Sequence, residues 1–267
     1  VFWMEVSALV GMLTKFSEVT LSIRFRERNA NGDWVGGPMY YIKNGLGPRF
    51  RWLGAAFAAL GALAAFGIGN LTQINSIATS ITASVNTLVP STAGHNFTIC
   101  LCAGLVMAAV CALTYLGGIK RIGAVTETLV PVMALIYIVS SLVVILTHLS
   151  SVGPVLRAIV VGAFDPSAVI GGAAGVTIRT AMTRGVSRGV FSNEAGLGSA
   201  PIAHAAADTE DPVKQGMFGI FEVFADTIVI CTMTALVILT SGTPIEYGKA
   251  AGVELTNAAF ATVFGPE

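Results

Sequence analysis

Charge is what this sequence has least of. Of its 267 residues only 11% are Asp, Glu, Lys or Arg, whereas a soluble globular domain carries about a quarter. Too few charges are present to cover a water-facing surface, which excludes an ordinary soluble domain. The charges are also missing in blocks: residues 53–96, 97–119 and 128–156 contain none. A bilayer core about 30 Å thick is crossed by about 20 apolar helical residues. Each block is therefore long enough to span, and the first has room for a span and a loop. Ten-residue segments of alternating hydrophobicity are lacking as well, which excludes a transmembrane β-barrel. What fills the blocks is apolar: 54% of the chain is hydrophobic and the mean hydropathy is +0.76.

Several other features are scarce. Net charge is zero, so no broad attraction to nucleic acid is implied. The four cysteines, Cys100, Cys102, Cys111 and Cys231, lie inside apolar runs. Cys100 and Cys102 lack the spacing and the nearby His of a zinc site, and all four read as small hydrophobes. The stretch from Gly196 to Pro201 (GLGSAP) is not followed by Lys-Ser/Thr, which argues against nucleotide binding. Ser192, Ser199 and His204 are not set in a G-x-S-x-G elbow, which argues against a hydrolase. Asn96-Phe97-Thr98 forms an N-x-T tripeptide, a pattern that also arises by chance. Neither end carries a leader pattern: Val1-Phe2-Trp3-Met4 is apolar from the start and Phe264 to Glu267 reads as loop, so both ends are expected to be truncations.

The remaining pattern is six predicted helices, at about 1–23, 52–80, 97–116, 122–147, 167–190 and 216–239. Breakers separate them: Pro90 and Gly94, Gly117-Gly118, Gly153-Pro154, and Gly242 with Pro244. The basic residues orient them. One set of loops holds Arg24, Arg26, Arg28, Lys43, Arg49, Arg51, Lys120, Arg121, Arg184, Arg188 and Lys214, and the other only Arg157 and Lys249. Lys and Arg gather on the cytoplasmic side, so the first helix is expected to enter from outside and the sixth to end there.

Polar groups at membrane depth are costly and face protein or a watery cavity. Lys15 and Glu18 share a face of the first helix and can pair, and Glu5 lies near its outer end. Glu222 and Asp226 share a face of the sixth. They would hold a proton or cation, or else bond to hydroxyls and amides of neighbouring helices; Arg179 is a candidate partner. The second helix carries Asn70, Thr72, Gln73, Asn75 and Ser76, which suit either interhelical packing or a polar solute. In the fifth, Gly171-Gly172-Ala173-Ala174-Gly175 precedes Thr177, Thr180 and Thr183 at three-residue intervals. Close helix packing and a broken, site-forming helix both fit those glycines.

Three motifs carry a family resemblance. Phe2-Trp3-Met4 with Ala8 and Gly11, then Lys15-Phe16-Ser17-Glu18, resembles the start of the second helix in the alanine or glycine:cation symporter family. Residues 36–42 (GGPMYYI) are similar to that family's first inner loop. Residues 188–207 (RGVFSNEAGLGSAPIAHAAA) resemble its most distinctive stretch, and Asp226-Thr227 fits too. One departure is visible: Glu5 stands where the family signature usually has a second Trp.

The resemblance implies a cell-membrane (plasma or inner membrane) importer of alanine or glycine coupled to Na+, with H+ as the alternative ion, and not an enzyme. It implies an all-α, LeuT-like fold of the APC superfamily, with inverted repeats, in which residues 1–267 form part of a single transmembrane domain resembling helices two to seven. On that mapping Asn70, Gln73 and Asn75 line the substrate wall. Gly175, Thr177, Thr180 and Thr183 mark the break in the family's sixth helix, and most sodium ligands fall outside this chain. The expected partners are alanine or glycine and the lipid bilayer; oligomeric state is not encoded. Alternatives are a cation-coupled transporter of another small polar solute, a channel, for which no repeated filter is present, or a membrane-embedded enzyme. The three His residues, His95, His148 and His204, lie in or beside loops on different sides.

Overall fold

The computed structural model describes residues 1–67, 70–92, 94–165, 177–245 and 252–265. In chain order, α1 is Phe2–Arg24, followed by two short strands, β1 (Glu27–Arg28) and β2 (Trp34–Val35). Then come α2 (Pro38–Gly45), α3 (Arg51–Ala64), α4 (Asn70–Leu88) and α5 (Asn96–Tyr115). The long α6 (Gly118–Thr147) precedes α7 (Leu149–Phe164) and α8 (Ile178–Asn193). Last are α9 (Ser199–His204), α10 (Pro212–Val223), a π-helical segment (Phe224–Cys231), α11 (Thr232–Thr240) and α12 (Val253–Phe264). The architecture is all-α apart from the β1–β2 ribbon. By length and composition four of the described helical stretches can cross a membrane: Phe2–Arg24, Asn96–Tyr115, Arg121–Thr147 and Pro212–Thr240.

Three differences from the six predicted helices are informative. The second is divided into α3 and α4. The Asn70 side chain donates to the Ala65 carbonyl at 2.7 Å, satisfying an acceptor that an unbroken helix would have satisfied itself. Of the fifth only 177–190 lies within described residues, where α8 runs Ile178–Asn193; Gly171 to Gly175 fall outside them. Four helices are added, the short α2 and α9 and the longer α7 and α12. Gly153-Pro154, a breaker pair by sequence, sits inside α7. Pro154, the sixth residue of α7, has no N–H to donate to the Ser150 carbonyl, and the helix continues past it to Phe164.

The chain forms two compact units, each assembled from separate stretches of sequence: 1–64 with 158–232, and 65–157 with 233–267. The first is organised around α1. Its buried residues Ala8, Lys15, Glu18, Val19, Ser22 and Ile23 recur at helical spacing, whereas Leu9, Val10 and Leu13 are exposed. A soluble helix has the opposite arrangement; polar groups facing protein and leucines facing outward suit a helix in lipid.

Small residues let neighbouring helices approach α1 closely. A Cβ placed on Gly185 of α8 would lie 2.7 Å from the Trp3 Cβ, and one on Gly216 of α10 would lie 2.8 Å from the Phe16 ring. At the N-terminal end of α1 the Trp3 indole donates to the Ala163 carbonyl at 3.0 Å. Phe2, Trp3 and Phe164 pack edge to face there, with centroids 5.2 to 5.7 Å apart.

Beyond α1, Arg26 donates to the carbonyls of Ala205 and Ala207, at 3.0 and 2.7 Å, and to that of Thr209. Arg26 and Arg28 both stack on Trp34, at 4.1 and 4.3 Å from the ring centroid, a cation–π pair that fixes the ribbon. Lys43 bonds both Glu27 oxygens at 2.9 Å. With the Asn44 amide it holds the Glu27 carboxyl below its ordinary titration range.

The second unit centres on Val144, Val237 and Ala259, fully buried on α6, α11 and α12, with Phe260 and Val263 packed against them. The Tyr137 and Thr234 hydroxyls hydrogen-bond at 2.5 Å, and Asn257 of α12 donates to Ser80 of α4 at 3.4 Å.

Candidate functional site

The first unit gathers polar side chains where α1, α8, α10 and the π-helical segment meet. Widening of an α-helix into π geometry is rare and concentrates at functional sites; here it spans Phe224–Cys231 and contains Asp226 and Thr227. The Ser192 hydroxyl donates to Asp226 at 2.7 Å and the Thr227 hydroxyl does so at 3.1 Å. Asn193, the last residue of α8 and 4% exposed, donates from its amide nitrogen to the Thr227 oxygen at 3.1 Å. Its amide oxygen accepts from the Ala195 backbone N–H at 3.0 Å. One buried side chain thus ends a helix, shapes the turn after it and grips the π segment. Further along, Thr232 donates to Glu5 at 2.9 Å, so Glu5 faces protein rather than the outer edge.

Toward the other end of α1, Lys15 is fully buried. Its ammonium donates to the Asn193 carbonyl at 2.8 Å and pairs with Glu222 at 3.3 Å. Asn193 closes α8, so the cation also meets the negative end of that helix dipole. Glu222 continues to His204 Nε2 at 2.9 Å, and Gln215 donates to His204 Nδ1 at 2.8 Å. With Nδ1 accepting, Nε2 carries the ring proton and donates it toward Glu222. Glu18 accepts from the Gly196 N–H at 3.3 Å, and Ser22 donates to the Pro201 carbonyl at 2.5 Å.

These contacts decide two questions left open by spacing alone. The bonded partner of Lys15 is Glu222 on another helix, not Glu18 one turn along its own. Glu222 and Asp226 do not act as a pair: one faces Lys15 and His204, the other Ser192 and Thr227. Arg179 is exposed and contacts neither. Among the described residues no cluster of three His, Cys, Asp or Glu could hold a metal ion.

The residues proposed for substrate fall into two groups. Asn70, Gln73 and Asn75 lie along α4 and are exposed. Thr177 caps α8, its hydroxyl accepting from the Thr180 N–H at 3.2 Å and bonding the Thr180 hydroxyl at 3.2 Å. Thr183 lies further along the same helix, exposed, and Gly175 lies outside the described residues. Sequence reasoning missed the linking roles of Asn193, Gln215 and His204. Asn193 ends a helix and His204 sits in a turn-rich segment, so neither advertised its partner by spacing.

The helices, the inward polar face of α1 and the network it anchors define a multi-pass membrane protein with a polar interior, the make-up of a transporter. The sodium:alanine symporter family model matches residues 1–267, and the chain belongs to that family, which consists of transporters rather than enzymes. Among its relatives is a Haemophilus influenzae protein named only as a transporter, 44% identical over 99% of this chain and 55% of its own length. The sodium/alanine symporter AgcS of Methanococcus maripaludis is 43% identical over 97% of this chain and 55% of its own length. The probable sodium/glutamine symporter GlnT of Bacillus subtilis is 38% identical over 99% and 52%. The chain spans about half the length of these relatives.

Proposed function

We propose that this chain serves in a secondary active symporter that brings a small neutral amino acid, alanine or glycine, into the cell together with sodium. The observation that carries this reading is the match to the sodium:alanine symporter family over the whole chain. Supporting it, polar side chains are grouped at two places: Asn70, Gln73 and Asn75 on α4, and Thr177, Thr180 and Thr183 at the start of α8. These are the residues proposed to meet the solute, with Gly175 beside them. The fold proposed is LeuT-like.

Coupling in such a protein requires that sodium and amino acid together bind outward- and inward-facing states with different affinity, because a ligand shifts an equilibrium only by its differential affinity. The buried links from α1 to α8, α9 and α10 suit a unit that moves as one body.

Binding to the purified full-length protein tests the reading. Labelled alanine or glycine is expected to bind in sodium and to lose that binding when choline replaces sodium, with Gln73→Ala weakening affinity and leaving the melting temperature unchanged. Glutamine is the informative competitor, given the name of one relative. Equal amino-acid binding in sodium and choline would contradict the proposal.

A further inference from the structure

We propose that the segment from Leu46 to Leu53 is a docking surface for anionic lipid headgroups, placed where α3 starts. Its sequence alternates cation and aromatic ring, Arg49-Phe50-Arg51-Trp52. Arg49 and Arg51 are exposed, and neither side chain makes an ion pair or hydrogen bond with a described residue. Phe50 and Trp52 are 40% and 66% exposed, and Leu46 and Leu53 are exposed beside them. A Trp ring such as Trp52 settles at the headgroup level of a bilayer, Phe50 beside it offers apolar contact to the layer beneath, and Arg there attracts anionic lipid. The downstream sequence agrees: from residue 53 to residue 96 there is no charged side chain, so Arg51 is the last cationic group before a long apolar stretch.

The backbone presents the four side chains in a fixed arrangement. Gly47 has φ of 86°, a conformation glycine adopts without the Cβ clash other residues meet, and Pro48–Phe50 form a 3₁₀ turn leading into α3. One turn into α3, Gly54 lies so close to α2 that a Cβ would come within 2.8 Å of the Met39 carbonyl oxygen. Arg51 exerts a long-range attraction on the Glu27 carboxylate. That carboxylate is already held by Lys43 and Asn44, which leaves the Arg51 guanidinium open to a phosphodiester. Guanidinium groups bind such oxygens through paired N–H donors.

The test uses the full-length protein in vesicles of phosphatidylglycerol or phosphatidylcholine. Phosphatidylglycerol is expected to raise the melting temperature of the wild type, and Arg49→Gln/Arg51→Gln is expected to lose that rise while Arg49→Lys/Arg51→Lys keeps most of it. Inorganic phosphate added to phosphatidylcholine vesicles is expected to give no rise, since a free anion is not anchored in the headgroup layer beside Phe50 and Trp52. An equal rise in the Gln variant, or a rise reproduced by free phosphate, would overturn the proposal. Should the Gln variant fail to fold, backbone amide exchange in the wild type decides. Exchange of residues 46–53 must be slower in phosphatidylglycerol than in phosphatidylcholine, and equal rates overturn the proposal.

Discussion

The Lys15 ammonium lies 3.3 Å from the Glu222 carboxylate and 2.8 Å from the Asn193 carbonyl, joining α1 to α10 and to the end of α8. The two charges are not equivalent. Lys15 is fully buried, whereas the Glu222 side chain is 46% exposed and has His204 as a second partner. Removing one member of a buried pair is costly chiefly because the other stays behind uncompensated. Glu222→Gln, which strands the buried ammonium, is therefore expected to destabilise the protein by about 2–3 kcal/mol, a value discounted for the exposure of Glu222. Lys15→Met leaves a half-exposed carboxylate with its histidine and should cost less, about 1 kcal/mol. Melting temperatures of the two variants in one detergent check the order; a more damaging Lys15→Met would contradict it.

Asn193 supplies the second comparison. Its amide spans the Ala195 N–H and the Thr227 hydroxyl, so Asn193→Ala takes the partner from the buried Ala195 N–H and leaves Thr227 only its bond to Asp226. Each unmet buried group costs about 1–3 kcal/mol. Ser192→Ala removes one donor from Asp226, which keeps Thr227. The expected order of thermal stability is wild type, then Ser192→Ala, then Asn193→Ala.

Close approach at α1 gives a third. Gly185→Val would drive a side chain into Trp3, 2.7 Å from where a Cβ would stand, and overpacking costs about 1–3 kcal/mol. Leu13→Ala changes a side chain that is 67% exposed and is expected to leave the melting temperature nearly unmoved. If the two variants melt alike, the packing account of α1 is wrong.

The β1–β2 ribbon carries a pH prediction. Hydrogen bonds from Lys43 and Asn44 hold the Glu27 carboxyl below its ordinary value, so unfolding the ribbon is coupled to proton uptake. The stabilisation is complete above the ordinary carboxyl range and is lost as pH falls through the lowered folded value. Backbone amides at 27–35 are expected to be better protected in wild type than in Glu27→Gln at neutral pH, with the gap closing in acid. A gap that widens on acidification would reverse the sign.

Much of this architecture is legible in composition. The ends of α1, α5 and α6 are marked by apolar runs and by flanking Arg24, Gly117 and Gly118, because a span's length is set by the bilayer rather than by its neighbours. The division between α3 and α4 is not legible in the same way, although the sequence has Gly67 and Gly69 there: glycine permits a break without requiring one. Pro154 misleads for the converse reason: a proline inside a helix removes one backbone bond without always ending the helix. The charged residues on α1 are recognisable as facing inward, but their partners are not. Lys15 meets Glu222 only because Gly216 and neighbouring small residues bring α10 against α1, a tertiary fact that spacing on one helix does not contain.

The most direct measurement is accumulation. The full-length protein, reconstituted in liposomes with sodium high outside and low inside, is expected to concentrate labelled alanine or glycine above the external level. Collapsing the sodium gradient should release the label. Uptake that only equilibrates, or that proceeds equally with choline in place of sodium, would contradict the account.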